Sequence, residues 1–391
     1  MLTKICQLAK NLILKFPKNF YWGTATSAYQ VEGGIRNDWS EAGEKYDAGV
    51  ACDHYNRFEE DFDLAKSLNN NAHRFSIEWA RIEPVEGKFN QAEIEHYRQI
   101  ILALKKRNLE PFVTLWHFTL PKWFTDKGGW LDMGASQYFE RYVEKVVGEY
   151  KDLARFWITM NEPDIYMAHA YLRGYWPPFS KSFFRTQQIL KNLINIHKNV
   201  FKLIHRIQPD AQVGITKFNT FNQGVLRFFS DKYWNHQILQ AIRDHKRFFD
   251  FIGLDYYITH SLFEIIKLSS KREKSDIGWE IFPEGIYRVL KDLVRYEKPI
   301  YITENGLADA KDTKRAKFIL DHLKWIHKAI EDGVDVRGYF HWSLIDNFEW
   351  DKGFEPRFGL VEVDYKNNLK RIPRPSSKIY AEICKNNSIN I

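Results

Sequence analysis

Tyr301-Ile302-Thr303-Glu304-Asn305-Gly306 is a short apolar run that stops at a carboxylate, an amide and a glycine. Lys298-Pro299-Ile300 leads in and Gly306 breaks the run, so it reads as one fully buried strand whose last residue is charged. Alone, a Glu at such a place reads first as a structural carboxylate hydrogen-bonded into a turn. A second strand, Thr159-Met160-Asn161-Glu162-Pro163, also ends in Asn-Glu. Two carboxylates at two strand ends make a candidate acid/base pair.

Outward from these two runs, short apolar segments separated by amphipathic helical stretches give eight candidate strands. They lie near 21–26, 72–78, 111–116, 156–161, 212–216, 249–257, 299–304 and 336–343. Helical patterns fall between them, at 92–106, 137–150, 186–207, 283–296 and 314–332. Strand alternating with helix eight times reads as an α/β fold, a (β/α)₈ TIM barrel. A doubly wound sheet shares the alternation, but no Gly-rich phosphate loop follows the first strand, where that fold would show it. The 391 residues contain no Pro/Ser/Gly-rich linker, which suits one large barrel over residues 17–391. Residues 1–16 precede it. Leu2, Ile5, Leu8, Ala9, Leu12, Ile13 and Phe16 recur there at helical spacing, so an extra amphipathic helix is expected. It is too short to span a bilayer and lacks a signal-peptide cleavage site, and membrane-surface contact through it is the less favoured reading.

The formal charge of +7 comes from basic residues dispersed among acids, with the tightest cluster at 267–274, so no concentrated nucleic-acid footprint is present. Cys6, Cys52 and Cys384 are an odd, scattered set without metal-ligand spacing, which favours a reducing, cytoplasmic setting over a disulfide framework. Thirteen Trp, twenty Tyr and twenty-nine Phe exceed what a core of this size asks for and suggest stacking platforms for sugars or bases.

The carboxyl ends of barrel strands open onto one face. Gln30, Arg74, His117, Asn161, Glu162, Asp255, Tyr257, Glu304 and Trp342 all fall at or near such ends and therefore converge. Glu162 and Glu304, on strands 4 and 7, face each other across the mouth. Glycoside hydrolysis needs such a pair, one acid to protonate the leaving oxygen and one carboxylate to attack or to activate water.

Five motifs now stand in order: Trp22-Gly23-Thr24-Ala25-Thr26-Ser27-Ala28-Tyr29-Gln30-Val31-Glu32-Gly33; Arg74-Phe75-Ser76-Ile77-Glu78-Trp79; Thr159 to Pro163; Ile302 to Gly306; and His341-Trp342-Ser343-Leu344-Ile345-Asp346-Asn347-Phe348-Glu349-Trp350. With them the chain, from about Phe20 to Tyr380, resembles glycoside hydrolase family 1, the β-glucosidase family. The resemblance implies a retaining, exo-acting β-glycosidase, a β-glucosidase first, acting on a small-molecule glycoside with no metal and no cofactor. It implies Glu304 as nucleophile and Glu162 as general acid and then base. Arg74 and the Tyr257 hydroxyl would favour the charged form of Glu304. Gln30, His117, Asn161 and Glu349 would bind sugar hydroxyls, Asn161 taking the 2-hydroxyl. Trp342 would form the floor under the pyranose, with Trp350 and Phe358 completing the pocket. Glu349 disfavours a sugar 6-phosphate, which leaves glucose, galactose or fucose as neutral glycones.

Two departures accompany the match. Asp255 stands where the family usually has Asn, and Phe118-Thr119 follows His117 where many members have Trp-Asp. The stretch from Lys217 to Phe249 and the loops beside Tyr257 are short, so an open aglycone region with loose leaving-group preference is expected. A transglycosidase using the same intermediate, and a sugar-binding homologue weak in catalysis, remain alternatives at this point.

Overall fold

The computed structural model describes residues 12–222, 235–244, 247–260 and 272–390. Eight parallel strands close a barrel: Tyr21–Ala25, Ala72–Ser76, Glu110–Thr114, Phe156–Ile158, Gln212–Phe218, Phe251–Asp255, Ile300–Asn305 and Val336–Trp342, here barrel strands 1 to 8. They follow one another around the ring in chain order, and strand 8 closes on strand 1 from Gly338 opposite Tyr21 to Trp342 opposite Ala25. All eight expected strands are present. Strand 4 ends at Ile158, short of Asn161, yet the Asn161 N–H still reaches the Trp116 carbonyl and the Glu162 N–H the Thr216 carbonyl. Strand 6 likewise stops at Asp255, so Tyr257 stands on the loop just beyond it.

The five expected helices form at Gln91–Lys106, Ala135–Tyr150, Phe183–Ile207, Pro283–Leu293 and Arg315–Glu331. Gln91–Lys106 shows why. The Asn90 side chain accepts from the N–H groups of Ala92 and Glu93, Lys105 and Lys106 meet the carbonyl end, and Ile94, Tyr97, Ile101 and Leu104 bury one face. The outer core lies between such helices and the barrel.

A separate core fills the barrel itself. Tyr21, Phe112, Phe156, Phe251, Tyr301 and Phe340 interlock there, Tyr21, Phe156, Phe251 and Tyr301 from the amino ends of their strands and Phe112 and Phe340 from further along theirs. Phe112 and Phe156 stack at 4.1 Å, and Phe251 meets Tyr301 edge-on at 5.2 Å. Glycine makes the room: a Cβ at Gly23 would strike the Phe340 ring, and one at Gly214 the Phe251 ring. Much of the aromatic excess is therefore packing, with only part of it left for the cleft.

The amino-terminal segment differs from expectation. Ile13–Lys15 is a strand paired antiparallel with Ser388–Asn390, so no helix extends to residue 16. The physical reason is alternation. Leu14 and Phe16 turn inward, Phe16 packing 4.8 Å from Trp22, while Ile13 and Lys15 face out. Residues 1–11, where the rest of that helix and any membrane-surface contact were expected, lie outside the described residues, as do Cys6 and most of the basic cluster at 267–274. Among the described residues no helix is long and apolar enough to cross a membrane.

Candidate active site

Arg74, in the middle of strand 2, is wholly buried and points up the barrel axis. Nothing in an apolar barrel could hold an unpaired guanidinium, and every nitrogen of this one is used. Nη1 donates to Glu304 Oε1 at 2.5 Å and to the Thr303 carbonyl at 3.3 Å, Nη2 to Asn161 Oδ1 at 2.5 Å, and Nε to Thr114 Oγ1 at 3.2 Å. One cation thus ties strands 2, 3 and 7 to the end of strand 4. The Tyr257 hydroxyl donates to the other Glu304 oxygen at 2.6 Å. Glu304 is therefore held by both oxygens in one rotamer.

Glu162 is placed differently. Its backbone is left-handed, φ 37°, at the start of the short helix Pro163–Tyr166. Its Oε1 is buried with no protein partner. One oxygen each from Glu162, Asp255 and Glu304 lies within 4.8 Å of the others. Such a cluster has the spacing to share a cation, but Arg74 already supplies the positive charge at Glu304. Asn161 accepts from Arg74 and from Thr216 Oγ1 at 2.8 Å, while its Nδ2 lies 3.2 Å from His117 Nε2.

Environment divides the two glutamates. Burial raises the pKa of Glu304, and Arg74 and the Tyr257 hydroxyl offset only part of this, so it stays above the ordinary value but short of Glu162. Burial raises Glu162 too, and the charges of Asp255 and then Glu304 push it further, well above the usual carboxylate range. Glu162 is the group that keeps its proton. His117 is driven well below its ordinary value by burial and by Arg74, so it is a neutral imidazole.

Above the pair opens a cavity of about 490 Å³, lined by His117, Asn161, Glu162, Tyr257, Glu304, Trp342, Glu349, Trp350 and Phe358 among others. The His117 ring lies nearly parallel to those of Trp342 and Trp350, at 6.1 and 5.8 Å. Gln30 and Arg74 stand behind this lining. Gln30 donates Nε2 to the Phe348 carbonyl at 2.9 Å and to Asn347 Oδ1 at 3.1 Å, and sits 3.5 Å from Glu349 Oε2. Burial, with the Glu304 charge next, lifts Glu349 to about 8. Asp255 is also behind the wall, fully buried, its Oδ1 accepting from Thr303 Oγ1 at 2.6 Å.

Phe118, noted above as a departure beside His117, is also in the wall, with four residues that no sequence motif marked: His169, Trp176, Phe218 and Trp279. Trp279 packs 5.7 Å from Tyr257 and 6.2 Å from Phe358. An aromatic on a loop leaving the carboxyl end of strand 6 was the available signal. Residues 223–234 and 261–271, which fall within the loops expected to be short, lie outside the described residues, and the expectation of an open aglycone wall lies there with them.

Comparison with known proteins places this geometry. A family model described as Glycosyl hydrolase family 1 matches residues 13–225 and 235–389. The 1,4-beta-D-glucan glucohydrolase of Thermotoga neapolitana is 33% identical over 445 aligned residues, covering 96% of this chain and 99% of that one. That span exceeds the 391 residues here, so the relative carries insertions that this chain lacks. Among solved structures, a beta-glycosidase from Pyrococcus horikoshii superposes with a TM-score of 0.89 at 40% identity, covering 97% of this chain and 96% of that one. A beta-glucosidase from Thermotoga maritima in complex with deoxynojirimycin gives 0.87 at 32%, covering 96% and 100%.

Proposed function

The chain belongs to glycosyl hydrolase family 1, and from that membership and the geometry of its cleft we propose that this glycosidase removes terminal β-D-glucosyl residues from O-glycosides with retention of configuration. The observation that carries the reading is the closeness of the two carboxylates. Glu162 and Glu304 bring oxygens within 4.8 Å of each other. Retaining enzymes hold their carboxyl groups about 5–5.5 Å apart, whereas inverting ones need about 6.5–9.5 Å to admit a water.

In the first step a Glu304 oxygen attacks C1, the bond from C1 to the leaving oxygen breaks, and Glu162 gives that oxygen its proton. In the second, water attacks C1, the bond to Glu304 breaks, and Glu162 takes a proton from the water. Arg74 and Tyr257 support the reading because they favour the charged form of Glu304, while among the described residues no cation is paired with Glu162 to draw its proton away. Asn161 is oriented by Arg74 and Thr216, and of its two Nδ2 hydrogens one is directed at His117, which leaves the other for the sugar 2-hydroxyl. Trp342 supplies the floor, Trp350 and Phe358 close the glycone pocket, and His117 and Glu349, with Gln30 beside it, take the remaining hydroxyls. Glu349 brings a carboxyl group and no cation to the sugar, which suits a neutral hydroxyl rather than a 6-phosphate, so glucose is the first choice, with galactose and fucose as the neighbouring substrates.

The test uses a chromogenic aryl β-glucoside. Glu304→Ala should abolish turnover, and azide should rescue Glu162→Ala by yielding a β-glycosyl azide. An α-azide from Glu162→Ala, or no azide product from that variant, would overturn the assignment of retention and roles.

A further inference from the structure

The catalytic centre contains three carboxyl groups, and the double displacement uses two. Asp255 ends strand 6, opposite Phe218 of strand 5 on one side and Glu304 of strand 7 on the other. It is fully buried behind the cavity wall, with one oxygen inside the 4.8 Å cluster that includes Glu162 and Glu304. Its two oxygens are unlike. Oδ1 accepts from Thr303 Oγ1 at 2.6 Å and lies 3.9 Å from Arg74 Nη1, whereas Oδ2 is buried without a partner.

The charges around it come from every side. Strand 2 brings Arg74, strand 7 brings Glu304, and the end of strand 4 brings Glu162 and Asp164. Strand 5 brings Lys217, whose Nζ is spent on Asp164 at 3.0 Å, and the loop after Asp255 itself brings Tyr257, whose hydroxyl is spent on Glu304. Among the described residues Arg74 is therefore the one cation within reach, and it is shared with Glu304. Three negative charges within 4.8 Å against one guanidinium is an arrangement that a desolvated site avoids by retaining a proton. The choice of holder follows from the contacts. Glu304 has two donors and Arg74. Burial and the Glu304 charge raise Asp255 well above the ordinary carboxylate value as well, but the edge of Arg74 and the Thr303 hydroxyl pull part of that back. Glu162 has neither at Oε1.

Resting on the function proposed above, we propose that Asp255 is a positioning residue that keeps the proton on Glu162 before bond cleavage and delays its loss once the sugar is on Glu304. Asp255 itself exchanges no atom in either step. Its negative charge persists after the Glu304 charge has been consumed in the glycosyl ester, so Glu162 becomes a base only at a higher pH than it would beside an asparagine. The consequence is a working range displaced upward on both sides: the acid survives to more alkaline pH, and the base appears later from the acid side.

Asp255→Asn keeps the shape and removes the charge. In the full-length protein, the alkaline limb of kcat/KM for an aryl β-glucoside should move to lower pH by roughly one unit, and the acid limb of the deglycosylation rate should move the same way. Thr303→Val, which leaves the carboxyl but strips its donor, should give a smaller shift in the same direction. A folded, active Asp255→Asn whose alkaline limb stays in place or moves upward would overturn the inference. If that variant does not fold, an unmoved limb in Thr303→Val would do so. A wild-type protein that cleaves no aryl β-glycoside would instead sink the proposed function.

Discussion

Glu304 is held by two donors, and the Tyr257 hydroxyl is the one that can be removed with least disturbance. Tyr257→Phe deletes a 2.6 Å hydrogen bond to a charged carboxylate, a contact worth about 1.5–3 kcal/mol, so kcat/KM should fall roughly tenfold to a hundredfold. The sign of the pH effect follows. A donor to the ionised form lowers a carboxylate's pKa, so its loss raises that of Glu304, and the acid limb of kcat/KM should move to higher pH. A pH–rate profile checks both, and a fixed acid limb would show that the hydroxyl does not sustain the nucleophile's charge. Glu162 and Glu304 stood out in sequence as candidates because a charged residue ending an apolar run has few reasons to exist, and the fold brings their oxygens within 4.8 Å of each other. Trp279 was not legible, because a loop aromatic acquires its role only when folding brings it beside Tyr257 and Phe358.

At the scale of elements, the barrel strands were readable because parallel strands covered on both sides become continuous apolar runs, and the helices because their buried stripes recur at helical spacing. The first ordered strand was misread because Leu12, Ile13, Leu14 and Phe16 are too few to separate a period of two from one of 3.6. Its partner lies more than 370 residues away, which local patterning cannot see. Asn387 secures this junction. It sits in the left-handed region at φ 50°, accepts from Trp22 Nε1 at 2.8 Å, and donates to the carbonyls of Phe16 and Pro17 at 2.9 and 3.1 Å. Asn387→Ala leaves those groups unpaired in a conformation that alanine resists, which should cost about 2–3 kcal/mol in denaturant unfolding. The kcat at a temperature where both proteins are folded should not change, because the junction touches no residue of the cleft.

Across the whole molecule, a buried ion pair locks the hairpin of Val361–Asp364 and Lys370–Pro373 to the helix His54–Ser67. Arg371 binds Asp61 through Nε at 2.8 Å and Nη2 at 2.9 Å, and His54 lies 2.8 Å from the same carboxylate. Burial opposes the charge on Asp61, but the hydrogen bonds from Arg371 and His54 prevail and lower its pKa below the ordinary value. Stability from this group is thus present above its unfolded value and lost as the pH falls through its folded one. Arg371→Met strands the carboxylate and should cost about 3–5 kcal/mol near neutrality. The gap between the unfolding midpoints of the variant and wild type should narrow on acidification, as Asp61 takes up a proton. A gap independent of pH would assign the loss to packing alone.

The aromatic plug of the barrel carries one more consequence, and it concerns traffic. With Phe112, Phe156, Phe251 and Tyr301 sealing the amino end, the cavity is a dead end entered from its mouth. Whatever part of a ligand goes in first must come out last. In the proposed reaction the departing alcohol therefore leaves ahead of the sugar, and the vacated outer half of the cavity admits the next molecule, water or another hydroxyl compound, while the sugar still occupies the inner half. Free sugar then competes with incoming substrate for the same innermost position, which makes the end product a natural brake on its own formation.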